Sequence, residues 1–294
     1  MAIVLLTLAV VAANRAAARR AAGAATATAT GTATPEAAGA GAATAASRAT
    51  AAAASASPSQ PGGAATATAS PSQPLDGRVI VLDPGHGSHS GASSSAGQWE
   101  DDNVFAIAQA AAPLLRALGA TVHLTRTTSA ILGSADDTDL STRVSEAAAW
   151  HADVFVSIHQ NWSTASSSQG VETFYATPQS QTLASDLEQA MVAGTGLQSD
   201  GLGHRVFWVV SCNPMPAVLI EGGFLSNPAE ADEISSPAFQ QKEAQAITAG
   251  LQTYFANSAD PTGAQALPQR LQTMCAMSPS QAAGWVREQY RHRH

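Results

Sequence analysis

Three short apolar runs, each followed closely by an ionisable or metal-binding side chain, constrain the fold of this chain most strongly. The runs are 79–82, 154–158 and 217–220. Continuous apolar runs of this length are typical of strands that are buried on both faces of a parallel sheet. His86, His159 and Glu221 follow them. Because ligands of open α/β sheets gather at the carboxyl ends of the strands, we expect these three side chains to share one pocket.

The rest of the domain alternates predicted strands with predicted helices. Strands are expected at 78–82, 120–124, 153–158, 171–175, 205–210 and 217–220. Helices with one apolar face are expected at 100–118, 140–150, 180–194 and 237–255. Pro113 should kink or split the first helix, because proline lacks the N–H that a helix interior needs. The alternation predicts a single α/β domain with a mostly parallel (mixed), roughly six-stranded sheet flanked by helices on both faces.

Composition divides the chain into four parts. Residues 14–75 are almost wholly alanine, threonine, serine, glycine and proline. Such a segment buries too little apolar surface to offset the entropy of ordering it. We therefore expect an apolar segment at 1–13, a disordered linker at 14–75, a folded domain at 76–257 and a C-terminal tail of unassigned role at 258–294.

The N-terminal apolar run is typical of the hydrophobic region of a secretory signal. It is shorter than the ~20 residues of a membrane-spanning helix. Arg15, Arg19 and Arg20 follow the run and no basic residue precedes it; a misassigned start or the remnant of a longer anchor would explain this order. We expect an exported protein of the cell envelope or the extracellular space, with membrane or wall tethering through the N-terminus as an open alternative.

Charge is shared unevenly along the chain, whose formal net charge is -8. Residues 76–257 contain six lysines and arginines against nineteen aspartates and glutamates. Because a domain this acidic repels a phosphate backbone, we expect no nucleic-acid partner. We also expect the chain to be a monomer.

Cys212 and Cys275 are the two cysteines of the sequence. They form no C-x-x-C pair, so a thiolate zinc site is not expected. In an oxidising compartment they would join the tail to the domain just before the run 217–220. Two unpaired thiols are the alternative.

Two imidazoles and one carboxylate match the ligand set of a catalytic zinc site that keeps its fourth position for water. His86 and His159 would supply neutral nitrogens, and Glu100, at the start of the first predicted helix, would supply an anionic oxygen. Glu221 then remains to handle protons. Its place after four apolar residues predicts burial and a raised pKa.

Structural explanations for the same residue types stay open at this point. A histidine between two glycines often serves the turn, and a glutamate that opens a helix stabilises the helix N-terminus by its charge alone. Glu221 would form a buried salt bridge if Arg126 or Arg143 lay beside it. His89 and His204 are weaker candidates for a metal ligand.

The candidate residues belong to a colinear set of motifs. The motifs are Asp83-Pro84-Gly85-His86-Gly87, Leu124-Thr125-Arg126, Leu140-x-x-Arg143, Ser157-Ile158-His159-x-Asn161, Gly170-Val171-Glu172 and Ile220-Glu221-Gly222-Gly223-Phe224-Leu225-Ser226-Asn227. With Glu100 between the first two, this arrangement resembles the zinc-dependent N-acetylmuramoyl-L-alanine amidase family over nearly the whole predicted domain.

The resemblance implies a six-stranded α/β domain that acts on peptidoglycan. The reaction it implies is hydrolysis of the amide between the lactyl group of N-acetylmuramic acid and L-alanine of the stem peptide, with Zn²⁺ as the cofactor. Position by position, His86, Glu100 and His159 match the zinc ligands, and Glu221 matches the catalytic glutamate.

Some members of that family carry a helix between the second histidine strand and the next strand, where it covers the zinc. Only the short segment 162–169 is available here, so the resemblance implies an open site. Two other functions remain as alternatives. One is zinc hydrolysis of another amide in the stem peptide, and the other is a catalytically silent wall-binding protein.

Overall fold

A computed structural model describes residues 73–133, 135–258 and 266–291 of the chain. The predictions made for 1–13 and for nearly all of 14–75 lie outside the described residues. No helix in the described ranges combines the length and the apolar character that a membrane span requires.

The described residues contain six strands and eight helices. The strands are β1 (Val79–Pro84), β2 (Thr121–Leu124), β3 (Val154–Asn161), β4 (Val171–Tyr175), β5 (Ser199–His204) and β6 (Ala217–Phe224). The helices are α1 (Glu100–Ala117), α2 (Asp136–Ala149), α3 (Gln181–Thr195), α4 (Trp208–Ser211), α5 (Pro228–Ile234), α6 (Pro237–Asn257), α7 (Gln269–Cys275) and α8 (Pro279–Arg291).

The strands form one mixed sheet in the order β2-β1-β3-β6-β4-β5. The pairs β1–β2, β1–β3, β3–β6 and β4–β5 are parallel, and β4 runs antiparallel to β6. The predicted fold class is confirmed. The three strands that carry the candidate site residues, β1, β3 and β6, are neighbours in the middle of the sheet and end at the same edge.

Alternating residues of the central strands face two separate cores. Val156 and Ile158 pack in a cluster with apolar residues of α1, α3 and α6. Phe155 and Leu219 pack on the opposite face, against Ala147 of α2 and the residues of α4. Because both faces are covered, the central strands are apolar along most of their length before the carboxyl edge, which is why their sequences contain continuous apolar runs.

The strand predicted at 205–210 is wrong. The strand lies at 199–204 instead, and α4 follows it. β5 pairs only with β4, at the edge of the sheet, so it needs no continuous apolar face and its sequence, Ser-Asp-Gly-Leu-Gly-His, shows none. The apolar residues Val209 and Val210 are buried as part of a short helix that covers the sheet.

Pro113 does not split α1, so the predicted split is wrong and the kink stays a prediction. The helix continues from Glu100 to Ala117 with the proline inside it. Pro113 and Gln109, whose carbonyl loses its helical partner, are both exposed. Water can therefore satisfy that carbonyl, which lowers the cost of the proline.

The C-terminal residues 266–291 pack on the domain through a disulfide and a small apolar cluster. Cys212, just after α4, is bonded to Cys275 at the end of α7, so the disulfide alternative is the one found. Leu271 and Met274 are buried in this cluster beside Trp208. At the start of α8, Ser280 donates two hydrogen bonds to Asp137 in the first turn of α2.

Glu243 is a buried carboxyl on the side of α6 that faces the sheet. Its side chain packs directly on Gly222 of β6, where a Cβ would collide with it. Neither of its oxygens accepts a hydrogen bond from a described residue. Burial raises the pKa of this carboxyl to about 8, so it holds a proton at neutral pH.

Replacement of Glu243 by leucine should stabilise the protein increasingly as pH rises from about 4.5 to about 8. In that window the folded chain keeps the proton that the unfolded chain releases, so Glu243 costs about 1.4 kcal/mol of stability for each pH unit. Urea unfolding at pH 5 and pH 8 measures the effect. Exposed Glu233→Gln is the control and should show the wild-type slope. Equal pH slopes for Glu243→Leu and wild type would contradict the prediction.

Candidate active site

The strand ends bring the candidate residues together as expected. The parallel register of β3 and β6 places His159 directly opposite Glu221. His86 follows the end of β1 by two residues, and Glu100 is the first residue of α1. All four residues therefore lie at the carboxyl edge of the parallel strands, the position at which α/β sheets bind ligands.

The side chains of His86, Glu100 and His159 meet at this edge. Glu100 Oε1 lies 3.2 Å from His86 Nε2 and 2.8 Å from His159 Nδ1. One donor atom from each residue lies within 4.8 Å of the other two. A tetrahedral zinc ion with bonds of about 2.1 Å separates its ligand atoms by about 3.4 Å. The donor types and their spacing fit such an ion, and their assignment as ligands stays a prediction.

Burial and mutual charge set the protonation of the three groups. Burial opposes the charge of Glu100, but His86 and His159 outweigh it and lower the pKa of the carboxyl. Burial lowers the pKa of His159 although Glu100 lies beside it. The pKa of His86 moves upward, because Glu100 raises it by more than burial lowers it. An anionic Glu100 and a neutral His159 are in the states in which these groups bind a metal.

Two glycines leave the space that the three side chains occupy. A Cβ on Gly85 would collide with the His159 ring, and a Cβ on Gly91 would collide with Glu100 and His86. His86 itself has a φ of 56°, in the left-handed region where a residue with a side chain is strained. The strained turn points the imidazole at Glu100.

Arg143 of α2 stabilises the turn that carries His86. Its guanidinium donates to Asp83 Oδ1 at 2.6 Å, to the Pro84 carbonyl at 2.9 Å and to the His86 carbonyl at 2.6 Å. It also forms a forked pair with Asp139. Arg143 and Asp83 are both 1% exposed, so the charges are paired away from water and fix the main chain on which His86 stands.

Arg126, two residues after β2, supports the same turn. It donates to the main-chain oxygens of Pro84, Gly85 and Asp101 over 2.6–3.0 Å, and it packs over the Phe105 ring. The supporting role of the two arginines was missed in the sequence. The available signal was that a domain poor in basic residues keeps an arginine two positions after a strand.

Glu221 is the fourth candidate residue and makes no ion pair with any described residue. Arg126 and Arg143 are engaged elsewhere, so the predicted alternative of a salt bridge is wrong. Its buried Oε2 accepts no hydrogen bond within the described part of the chain. Burial, and then the nearby Glu100 and Glu172, raise its pKa well above the usual value for a glutamate. A carboxyl with a raised pKa accepts a proton more readily than an ordinary glutamate.

The two weaker histidine candidates lie apart from the three converging side chains. His89 pairs with the exposed Asp102, with 3.5 Å between Nε2 and Oδ2. His204 is opposite Tyr175 in the sheet, three residues from the pair formed by Glu172 and Glu221. Neither joins the one group of metal-binding side chains found among the described residues.

The segment between β3 and β4 forms a loop without a helix. It spans 162–170, and Trp162 packs beside the small cluster that includes Leu225 and Phe239. No helix from this segment covers His86 and His159.

Comparison with known proteins gives the family. The sequence profile of the N-acetylmuramoyl-L-alanine amidase family, Amidase_3, matches residues 80–253. The chain belongs to this amidase family. The N-acetylmuramoyl-L-alanine amidase LytC of Bacillus subtilis (strain 168) is 32% identical over 186 residues, which cover 62% of this chain and 36% of LytC. The uncharacterized protein YqiI of the same organism is 34% identical over 187 residues, with 62% and 87% covered.

Solved amidase structures share the fold. The catalytic domain of the amidase CwlV from Bacillus (Paenibacillus) polymyxa var. colistinus is 34% identical, with a TM-score of 0.57, and the match covers 62% of this chain and 99% of that one. The predicted family, the enzyme class of N-acetylmuramoyl-L-alanine amidase and the fold class are thus confirmed.

Replacement of Arg143 by lysine should destabilise this amidase by about 3 kcal/mol. Lysine keeps the charge but loses the planar fork, so the His86 carbonyl and one oxygen of Asp139 lose their donors and the Pro84 carbonyl keeps only its side-chain bond from Arg126. Urea unfolding at neutral pH measures the loss. Arg116→Lys, which alters a partly exposed bond to the Val122 carbonyl, is the control and should cost less than about 1 kcal/mol. Equal losses in the two variants would show that the fork has no special role.

Proposed function

We propose that the chain is a zinc-dependent enzyme that cleaves the amide between the lactyl group of N-acetylmuramic acid and L-alanine of the peptidoglycan stem. The observation that carries this proposal is the group formed by His86, Glu100 and His159, with an unpaired Glu221 on the adjacent strand. Family membership supports the choice of this amide.

The proposed roles of the four site residues follow from the chemistry of amide hydrolysis. His86, Glu100 and His159 hold the metal, and zinc bound there supplies the Lewis acid that activates water and polarises the scissile carbonyl. Glu221 takes a proton from the attacking water and delivers it to the departing nitrogen. This delivery is needed because an amine anion is a very poor leaving group.

The raised pKa of Glu221 supports its proposed role. Burial and the nearby carboxylates favour its protonated form, so the group can accept a proton readily in the first step. Its neighbour Glu100 has a lowered pKa. Two carboxyls whose pKa values are driven apart in one site are the arrangement expected of a ligand and a proton carrier.

We propose that the enzyme is exported to the cell envelope or the extracellular space. The Cys212–Cys275 disulfide supports this location, because disulfides persist in oxidising compartments. The apolar segment 1–13 would direct export or tether the protein to membrane or wall, the linker 14–75 would act as a spacer, and the catalytic domain would cover 76–257. A monomer is sufficient for catalysis, since one chain supplies all four site residues.

Replacement of Glu221 by glutamine should lower kcat on purified peptidoglycan by about 10²–10⁴-fold while zinc content stays at the wild-type level. The amide is nearly isosteric with the carboxyl but carries no proton to transfer. Mass spectrometry of the digested wall identifies the products, and free lactyl ends on the glycan distinguish this reaction from cleavage within the stem. Exposed Glu233→Gln is the control. Full turnover by Glu221→Gln would exclude Glu221 as the proton carrier.

Removal of the metal by a chelator should abolish activity, and added Zn²⁺ should restore it. In His159→Ala the bound zinc measured by mass spectrometry should fall to background, whereas exposed His204→Ala should retain it. The restored wild-type protein should also cleave isolated muropeptides without any partner, because no helix from 162–170 covers the site. Retained activity in the fully metal-free protein would contradict the proposed zinc dependence.

A further inference from the structure

A row of three ionisable side chains crosses the sheet at the level of Glu221. β3 places His159 opposite Glu221 of β6, and the antiparallel partner β4 places Glu172 opposite Glu221 on the other side. Directly paired residues project from the same face of a sheet. The row therefore begins at a candidate metal ligand, passes the candidate proton carrier and ends at a second carboxyl.

The pairing of Glu172 with Glu221 is unfavourable for the fold. Like charges directly opposite each other across two strands are destabilising. After burial and Glu100, Glu172 raises the pKa of Glu221 further, and burial raises the pKa of Glu172 to about 7. Residue pairs that are unfavourable for the fold are expected mainly at functional sites. A role in substrate binding would explain why a second carboxyl occupies this position.

Glu172 is available to bind a ligand. It is partly buried, and it accepts no hydrogen bond from a residue in the described ranges. Its carboxyl leans over β5 at Gly203, where a Cβ would lie 2.9 Å from Oε1 and would also meet the Phe174 ring. The glycine leaves the side of the carboxyl free of β5 side chains.

A cation stands next to Glu172 on the same face. The exposed Arg205 follows β5, and its guanidinium lies 6.0 Å from the centre of the Phe174 ring. Phe174 is two residues after Glu172 on β4 and so shares its face. Arg205 interacts with the charge of Glu172 but forms no direct ion pair within the described chain. Arg205 and Glu172 are therefore close enough for their charges to interact, and neither side chain makes a hydrogen bond or an ion pair with a residue in the described ranges.

The order His159, Glu221, Glu172 across the sheet determines which part of the substrate reaches Glu172. The scissile carbonyl belongs at the metal ligands and the departing nitrogen at Glu221, so the stem peptide continues from there toward β4. Neighbouring strands are about 4.8 Å apart, and one extended residue spans about 3.5 Å. Glu172 thus lies between one and two residues beyond the scissile nitrogen.

We propose that Glu172 and Arg205 form the subsite for the stem peptide beyond L-alanine. Glu172 accepts hydrogen bonds from the main-chain N–H groups of the stem, and Arg205 pairs with a carboxylate of the stem. This inference rests on the proposed function, because the direction of the substrate along the row follows from the roles of the metal ligands and Glu221.

Binding of a free stem tripeptide, L-alanyl-γ-D-glutamyl-L-lysine, to the full chain tests the subsite separately from catalysis. Isothermal calorimetry should show Glu172→Gln and Arg205→Gln weakening binding by about 10-fold or more, the size expected for a lost bond to a charged group. Exposed Glu233→Gln is the matched control and should bind within about twofold of wild type. Equal affinity in all four proteins would overturn the proposal.

Steady-state kinetics on soluble muropeptides provide a second readout. Arg205→Gln should raise KM by a similar factor with kcat within about twofold of wild type, because Arg205 binds in the subsite and does not act on Glu221. A fall in kcat at unchanged KM in Arg205→Gln would overturn the proposal. An inactive wild type that still binds the tripeptide in a Glu172-dependent way would refute the proposed function and leave the subsite standing.

Discussion

The buried ion pair between Arg143 and Asp83 is the interaction on which the site depends. It ties α2 to the end of β1, and the same guanidinium holds the carbonyl of His86. Thr125 and Ser157 donate to the two oxygens of Asp83, so the carboxylate is bonded on every side and its pKa is lowered in spite of burial. A buried pair of this kind is costly unless all its bonds are made. Here each bond also fixes main chain that carries a site residue.

Two carboxyls near the same edge serve different chemistry because their surroundings differ. Glu100 lies between two imidazoles and accepts a bond from the Ala92 amide, so its anion is stabilised. Glu221 makes no ion pair in the described part of the chain, and burial and the nearby carboxyls raise its pKa. The contrast arises from position: Glu100, at the start of α1, contacts both imidazoles, whereas β4 sets Glu172 directly opposite Glu221.

The central part of the fold could be predicted because its strands are covered on both faces. β1, β3 and β6 appear as continuous apolar runs for that reason, and their parallel order predicts that His86, His159 and Glu221 converge. Edge strand β5 has no such requirement, so its Gly-rich sequence gave no signal. The family resemblance strengthened the prediction for Glu100, because a glutamate at a helix start also has an ordinary electrostatic explanation.

Contacts that depend on register or on long-range packing left no local pattern. The pairing of Glu172 with Glu221 follows from the antiparallel placement of β4 beside β6, which neither strand's sequence specifies. The carbonyls held by Arg126 and Arg143 depend on a turn between β1 and α1. The sequence shows the residues that take part in these contacts but not the geometry that joins them.

The docked C-terminal residues determine where this enzyme can be shortened. A protein that stops after α6 would keep Cys212 without Cys275, and this thiol would be free to form bonds between molecules. It would also uncover Trp208 and remove the bonds that Ser280 makes to the first turn of α2. α2 also carries Arg143, which holds the His86 turn, so the contacts of α8 support the helix on which that turn depends. We therefore expect a shortened enzyme to need the residues through α8.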